Sequence, residues 1–254
     1  MVSRLLWFHV ASFLTLLTLG LLAGCGGTVS AVGMSRSTSV AITKAQAVAY
    51  AHAVNLQAGD MSGFASSGNE TEAPRPGRLA LEEIRCSGGI SPARRIARLE
   101  SPEFSTAHAS NSEIVKSAVE VWPTPAVLAI NNNPHHRSRA RACFARFLQA
   151  LHHRINLERK GRMQIGPFTI TTAPNPLPGV INSFRTRINE TRLLHTGAVL
   201  AHVYRDIFTF TTGPTEIELE AVGFGHPIPA STEVSALHLL RDRAIAHATW
   251  STGS

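Results

Sequence analysis

Two adjacent histidine pairs are the first residues in this sequence whose type and spacing suggest chemistry. His135 and His136 lie in an Asn- and Pro-rich segment, and His152 and His153 lie near the end of an Arg-rich stretch. Neighbouring side chains on a helix point about 100° apart, whereas helical metal ligands take i, i+4 spacing, as in His-Glu-x-x-His. We therefore expect no metal ion and interpret these as solvated histidines. A site shared by the two pairs is the alternative.

Other catalytic signatures are missing from the sequence. It has no Gly-x-Ser-x-Gly, no Ser-x-x-Lys, no Walker loop and no Gly-x-Gly-x-x-Gly. Acidic residues are few, and Glu82, Glu83, Glu216, Glu218 and Glu220 are interpreted as lying on solvated faces. A pair of catalytic carboxylates of the glycosidase type stays open, because a sequence shows no distances. We expect no cofactor.

The N-terminal segment has the layout of a secretory signal. Arg4 supplies a positive charge, and residues 5–23 form an apolar run that no charge interrupts. A transmembrane helix is the alternative, since such a helix needs about 20 apolar residues. The run ends in Leu22-Ala23-Gly24-Cys25, which resembles the lipobox of bacterial lipoproteins. That resemblance implies cleavage before Cys25 and a diacylglyceryl group on its thiol.

The resemblance also implies a location. Two acyl chains hold a protein stably, at about 0.8 kcal/mol for each buried methylene. We therefore expect the chain on the extracytoplasmic side of a bacterial cell membrane. The predicted organisation is a signal peptide over 1–24, a lipidated cysteine and flexible tether over 25–42, and one globular domain over 43–254.

Two cysteines remain once Cys25 is assigned to lipid. Cys86 and Cys143 belong to no Cys-x-x-Cys motif, and two thiols in an exported domain usually pair. The loop they would close has on the order of 60 residues, for which chain entropy gives about 4 kcal/mol. We predict a structural disulfide, with a catalytic or metal-binding thiol as the alternative.

The chain is basic, with 24 Lys and Arg against 17 Asp and Glu and a net charge of +7. Attraction to anionic lipid or wall polymer is one interpretation. A composition rich in Arg and Ala is the simpler one, and it is preferred because the basic residues are scattered. The exception is the segment with Arg137, Arg139, Arg141 and Arg146. Nucleic acid is not expected as a partner of an exported protein.

Apolar periodicity predicts an α+β domain with helices at the start, centre and end of the folded region. Thr43-Lys44-Ala45-Gln46 resembles a capping box, 138–156 is the clearest helix, and Ser231 or Thr232 should cap a closing helix. Residues 57–80 read as a long loop, and 79–85 as a short helix or strand. Five strands are predicted, over 114–121, 163–171, 181–189, 198–211 and 216–223. Thr212-Gly213-Pro214 predicts a hairpin between the last two.

This element order predicts a mainly antiparallel sheet packed by an N-terminal, a central and a C-terminal helix. The order is similar to that of Mog1/PsbP-like exported lipoproteins. From the anchor, the tether and the missing motifs, we expect a non-catalytic domain that binds an envelope protein, a lipid, an anionic wall polymer or a small ligand. The alternatives are an envelope hydrolase of unrecognised type and a His-based metal-binding lipoprotein.

Overall fold

A computed structural model describes residues 41–73, 76–106, 112–131, 137–158 and 163–248. The first helix, α1 (Lys44–Val54), begins at the predicted capping box. The Thr43 hydroxyl accepts a hydrogen bond from the Gln46 amide at 3.2 Å, and the Thr43 amide donates to the Gln46 side chain at 2.9 Å. Two amides at the helix start are thereby satisfied. The buried side of α1 is Ala47, Tyr50, Ala51 and Val54.

Nine strands form one antiparallel sheet in the described residues. Its spatial order is β1-β4-β5-β9-β8-β7-β6, with β3 paired to both β5 and β2. The strands are β1 (Ala65–Ser67), β2 (Thr71–Glu72), β3 (Ala97–Glu100), β4 (Glu103–Ser105), β5 (Glu113–Val121), β6 (Met163–Pro174), β7 (Ile181–Leu194), β8 (Val199–Thr212) and β9 (Thr215–Phe224). The last hairpin turns at Gly213 and Pro214, as predicted. Gly213 has a φ of 55°, which a residue with a Cβ rarely adopts.

Helices pack on both faces of this sheet. On one face lie α1 and the closing helix α5 (Ala230–Ala246), packed against inward-facing residues such as Phe208, Phe210, Ile217 and Leu219. On the other face lie α2 (Arg78–Ser87) and α4 (Arg137–Glu158), packed against Ile188 and Ile207. A shorter helix, α3 (Pro125–Asn131), contributes Leu128 to a small cluster with Trp122 and Ile90. Both faces of the central strands are therefore covered.

The structure confirms the predicted α+β class and single-sheet architecture. It differs from the predictions in four additional short strands, β1 to β4, and in one helix cap. The predicted loop over 57–80 contains β1 and β2, which pair over only three and two residues. The closing helix begins at Ala230 after Pro229, without a side-chain cap, so neither Ser231 nor Thr232 is its N-cap. Within the described residues, no helix is long and apolar enough to cross a membrane.

Candidate functional site

A line of carboxylates crosses the sheet on the face that carries α2 and α4. Antiparallel register places Glu120 of β5 opposite Arg98 of β3 on one side and opposite Glu216 of β9 on the other. Residues two apart on one strand share a face, so this face also holds Glu100, Glu218 and Glu220. We call the five glutamates Glu100, Glu120, Glu216, Glu218 and Glu220 the carboxylate row.

Glu120 is the best-paired member of the row. It is 2 % exposed, and it accepts hydrogen bonds from the guanidinium groups of Arg95 and Arg98. Arg98 also reaches Glu100 at 3.2 Å. Burial alone would raise the pKa of Glu120, but the charges of Arg95 and Arg98 and their hydrogen bonds outweigh it and hold that pKa below its ordinary value. Glu120 is therefore a buried anion held by two cations.

The pKa values of Glu216 and Glu218 move in the opposite direction. Burial, with the nearby charge of Glu120, raises the pKa of Glu216 to about 8. Burial is also the main reason that the pKa of Glu218 lies well above its ordinary value, and the neighbouring glutamates add to it. Burial therefore favours the protonated form of both side chains, because a neutral carboxyl costs less to bury than an anion does.

Glu220, at the end of the row, has a cation partner of its own. Glu220 forms an ion pair with Arg205 at 3.1 Å, so three arginines (Arg95, Arg98 and Arg205) face the five carboxyl groups. The prediction of a solvated face is wrong for Glu218 and Glu220, which are 7 % and 6 % exposed, while Glu216 is half-buried.

A second buried pair joins α4 to the same sheet face. His152 lies 3.0 Å from Glu190 of β7, and Arg192 contacts the other oxygen of that carboxylate. The edge of the His152 ring meets Phe168, with the ring centres 5.0 Å apart. Burial opposes ionisation of Glu190, but the hydrogen bond from His152 and the charge of Arg192 hold its pKa below the ordinary value. These contacts fix α4 against β6 and β7.

The opposite sheet face has its own ionic network. The carboxylate of Asp206 accepts two hydrogen bonds from Arg185 (3.0 and 2.6 Å) and two from Arg187 (both 2.9 Å), and Arg185 also reaches Glu233 of α5 at 3.1 Å. Against the effect of burial, these donors lower the pKa of Asp206 to about 2. Burial and the adjacent Asp206 raise the pKa of Glu233 to about 7. The network ties α5 to β7 and β8.

Glu83 of α2 is another buried acid. It is 7 % exposed, and its Oε1 atom has no hydrogen-bond partner among the described residues. Burial raises the pKa of Glu83 to about 8. Its neighbour Glu82 is exposed and lies 3.7 Å from Arg78. The prediction of a solvated face thus holds for Glu82 and is wrong for Glu83.

The predicted disulfide is present. Cys86 and Cys143 are bonded, with 5.8 Å between their Cα atoms, and the bond joins α2 to α4. Arg146 donates to the sulfur of Cys86 at 2.9 Å, and Arg139 donates to the Cys86 carbonyl at 2.9 Å. Cys143 is 1 % exposed, as expected for a residue on the inner side of its helix.

The predicted histidine candidates do not form a site in the described structure. His152 is buried and paired with Glu190, whereas its neighbour His153 is exposed, so the two rings diverge as helical geometry requires. His135, His136 and Cys25 lie outside the described residues. No group of three or more His, Cys, Asp or Glu side chains in the described parts of the chain is arranged to hold a metal ion.

Comparison with known proteins gives one structural likeness. No protein family matches the chain, and no curated protein is similar to it in sequence. The fold is similar to the crystal structure of the extracellular domain of PknH from Mycobacterium tuberculosis, with a TM-score of 0.39 and 11 % sequence identity. The alignment covers 81 % of this chain and 98 % of that domain.

Proposed function

We propose that this chain is a bacterial lipoprotein whose single α+β domain binds a partner on the extracytoplasmic side of the membrane and catalyses no reaction. The observation that carries the proposal is Leu22-Ala23-Gly24-Cys25, which follows an uncharged apolar run and a basic start. A lipidated Cys25 would hold the domain at the bilayer through a tether of about 18 residues.

The disulfide supports the compartment. A bond between Cys86 and Cys143 persists in oxidising surroundings such as the bacterial cell envelope, and is uncommon in a reducing cytoplasm. With Cys25 assigned to lipid, every cysteine of the chain has a use that fits export.

The charged side chains support a binding role. A general acid or base must reach the substrate, and a nucleophile must be exposed to it. The carboxylates of Glu120, Asp206 and Glu190 each pair with arginine or histidine side chains within the fold. The pairs formed by Glu190 and by Arg185 hold α4 and α5 against the sheet, which suits a rigid scaffold whose outer surface makes the contacts.

The anchor is tested by replacing Cys25→Ser in the full chain expressed in a bacterium. The wild-type protein should incorporate labelled fatty acid and fractionate with membranes, and its N-terminal peptide should carry the mass of a diacylglyceryl group. The variant should lose the label and keep its signal segment. Ser12→Ala is the matched control, since it changes the apolar run and leaves the lipobox intact. Equal labelling of wild type and Cys25→Ser would contradict the proposal.

The binding role is tested on the purified chain. A ligand that binds only the folded state raises the melting temperature in proportion to RT ln(1 + [L]/Kd). We expect such a rise in melting temperature with phospholipids, wall polymers or a partner domain. We expect no turnover of ester, phosphoester, glycosidic or peptide substrates. Turnover that tracks the purified protein would contradict it.

A further inference from the structure

One edge of the sheet is a long strand that has a neighbour on one side only. β6 (Met163–Pro174) has twelve residues and, among the described strands, pairs with β7 alone. Proteins usually protect such an edge with charged side chains, short length or proline, because its backbone N–H and C=O groups can pair with another chain. Residues 163–174 contain no charged side chain. At the other side of the sheet, β1 and β2 have three and two residues. β6 is therefore the edge that is both long and without charge.

The two ends of β6 are closed to a further strand. The Asn156 side chain of α4 bonds both backbone polar groups of Ile165, at 3.1 and 2.7 Å. The pairing with β7 is irregular over the next two residues, and the second of them, Pro167, has no amide to donate. Pro174 ends the strand. The segment open to a further strand is therefore 168–173.

The hydrogen-bond pattern shows which backbone groups of this segment face outward. Just beyond β6, the amide of Asn175 donates to the carbonyl of Ser183 in β7 at 2.9 Å. Consecutive residues of an antiparallel strand direct their backbone groups to alternate sides, and the register is regular from residue 168 onward. The backbone groups of Phe168, Ile170 and Thr172 therefore point away from β7. Each of the three offers one donor and one acceptor to a further strand.

We propose that this edge binds β6 of a second copy of the chain, antiparallel and about a two-fold axis at Ile170. This register places Ile170 opposite its own copy, and Phe168 of each chain opposite Thr172 of the other. Each of the three outward residues thereby meets another of the three, and each pair exchanges both backbone hydrogen bonds. The prolines at either end stay outside the paired segment.

The side chains of the strand suit a copy of itself. Like charges placed opposite each other destabilise a strand pair, and this strand carries none. Phe168 and Ile170 are partly buried beside Ile188 and Ile207, on the sheet face that carries α4. Self-pairing brings these apolar side chains of both copies together on one face, where aromatic and β-branched neighbours stabilise a sheet. A copy of β6 therefore matches the edge in backbone pattern, charge and polarity.

The rest of the fold leaves room for the pair and limits its growth. α4 meets the edge at Ile165, which lies about 17 Å along the strand from the axis at Ile170. The two copies of α4 therefore approach from opposite ends. Pairing uses the long edge of both sheets and leaves the short strands outside, so the assembly closes as a dimer. The dimer goes beyond the proposed anchor and does not require it.

Single cysteines in β6 test the pairing and its register. Residues of a hydrogen-bonded pair have Cα atoms about 5.5 Å apart, within the range of a disulfide. In the purified full chain, Ile170→Cys should therefore form a disulfide between two chains under mild oxidation. Thr169 and Thr171 are exposed and would lie opposite each other. Thr169→Cys and Thr171→Cys should therefore link efficiently only when the two variants are mixed. Peptide mass spectrometry identifies the linked residues, with the wild-type chain as background.

A backbone variant with a matched control tests the hydrogen bonds. Thr172→Pro removes an amide that faces outward and leaves the bonds to β7 in place. The dimer loses one bond from each chain, so the association constant in sedimentation should fall about 30-fold. Thr172→Ala keeps the amide and should leave the association constant unchanged. An intact bond between Cys86 and Cys143 in both variants shows that the fold is retained.

The outcomes decide between a second copy and other occupants of the edge. Equal linking of all three single-cysteine variants, or a monomer at every concentration without a link at Ile170, overturns the dimer. Self-linking at Thr169 or Thr171 in place of Ile170 overturns the register. A benzophenone residue at Ala173 should capture β6 of another copy; capture of residues 26–40 of its own chain, or of a different protein, overturns the second-copy assignment. None of these measurements alters Cys25, so the anchor is judged separately.

Discussion

Glu120 and Glu216 lie directly opposite each other on neighbouring antiparallel strands, with both side chains on the sheet face beneath α2 and α4. Like charges at such a position are destabilising. The chain avoids the repulsion by giving the two groups different protonation states. Arg95 and Arg98 hold Glu120 ionised, while burial and the charge of Glu120 keep a proton on Glu216.

Replacing Glu216→Gln should therefore change how stability depends on pH. The pKa of Glu216 is raised to about 8 in the fold, so its stabilising contribution is complete below its unfolded pKa and is lost as the pH rises through 8. Glutamine does not ionise. In urea unfolding, the variant should match wild type near about pH 5 and gain roughly 1–2 kcal/mol near about pH 9.

The opposite residue is the control for this prediction. Glu120→Gln leaves Arg95 and Arg98 buried with less negative charge, and should cost about 3–5 kcal/mol at neutral pH. If the unfolding free energies of Glu216→Gln and wild type run parallel across the pH range, the assignment of a buried proton to Glu216 is wrong.

The sequence predicted this strand but not its environment. Glu216-Ile217-Glu218-Leu219 alternates, which is typical of a strand with one face in water. Glu218 and Glu220 are nevertheless buried, and local periodicity carries no information on packing by parts of the chain that are distant in sequence. The position of Glu120 opposite Glu216 likewise depends on strand register, which the sequence pattern does not show. The capping box at Thr43 and the turn at Gly213 were predictable because their signals are local.

Length limited the other predictions. β1, β2, β3 and β4 have two to four residues each, too few to show an alternation. Their pairing depends on the register of β5 and on the loop that connects them. The disulfide was predictable from the number of thiols together with the resemblance to a lipobox, which set Cys25 aside and left one pairing.

Glu83 and Glu82 offer a matched comparison of buried and exposed acids on one helix. The pKa of Glu83 is raised to about 8 by burial, so its contribution to stability is complete below the unfolded pKa and lost as the pH rises through 8. Glu83→Gln should be more stable than wild type near about pH 9 by roughly 1–3 kcal/mol. Glu82→Gln should stay within about 0.5 kcal/mol of wild type at every pH. Identical pH profiles for the two variants would contradict the burial of Glu83.

Asp206 should govern stability on the acid side. Its pKa of about 2 lies below the unfolded value, so its contribution is present above the unfolded pKa and is lost as the pH falls through 2. Asp206→Asn should cost about 2–4 kcal/mol at neutral pH, less than a fully buried pair, since Arg185 and Arg187 keep contact with water. As the pH falls, the unfolding free energy of the variant should decrease from this lower value, and its slope against pH should be shallower than that of wild type.

The control for Asp206 is another aspartate paired with arginine. Asp242 is 62 % exposed at its side chain and contacts Arg241 at 2.6 Å. Asp242→Asn should change the unfolding free energy by less than about 1 kcal/mol, as exposed pairs do. If Asp242→Asn lowered the unfolding free energy as much as Asp206→Asn does, burial would not be the reason that the Asp206 pairs stabilise the fold.

The disulfide should stabilise the fold chiefly by restricting the unfolded chain. Cys86 and Cys143 are 57 residues apart, and closing a loop of that length is worth about 4 kcal/mol. Cys86→Ala with Cys143→Ala should lower the free energy of unfolding by about that amount and raise the urea m value, since the unlinked chain exposes more surface. Wild-type protein treated with a reductant should show the same changes in unfolding free energy and m value as the double variant. Arg146→Gln, which keeps the bond and removes its exposed donor, should cost less than about 1 kcal/mol. Two free thiols per chain in the oxidised folded protein, or equal urea midpoints with and without reductant, would show that α2 and α4 are held together by packing alone.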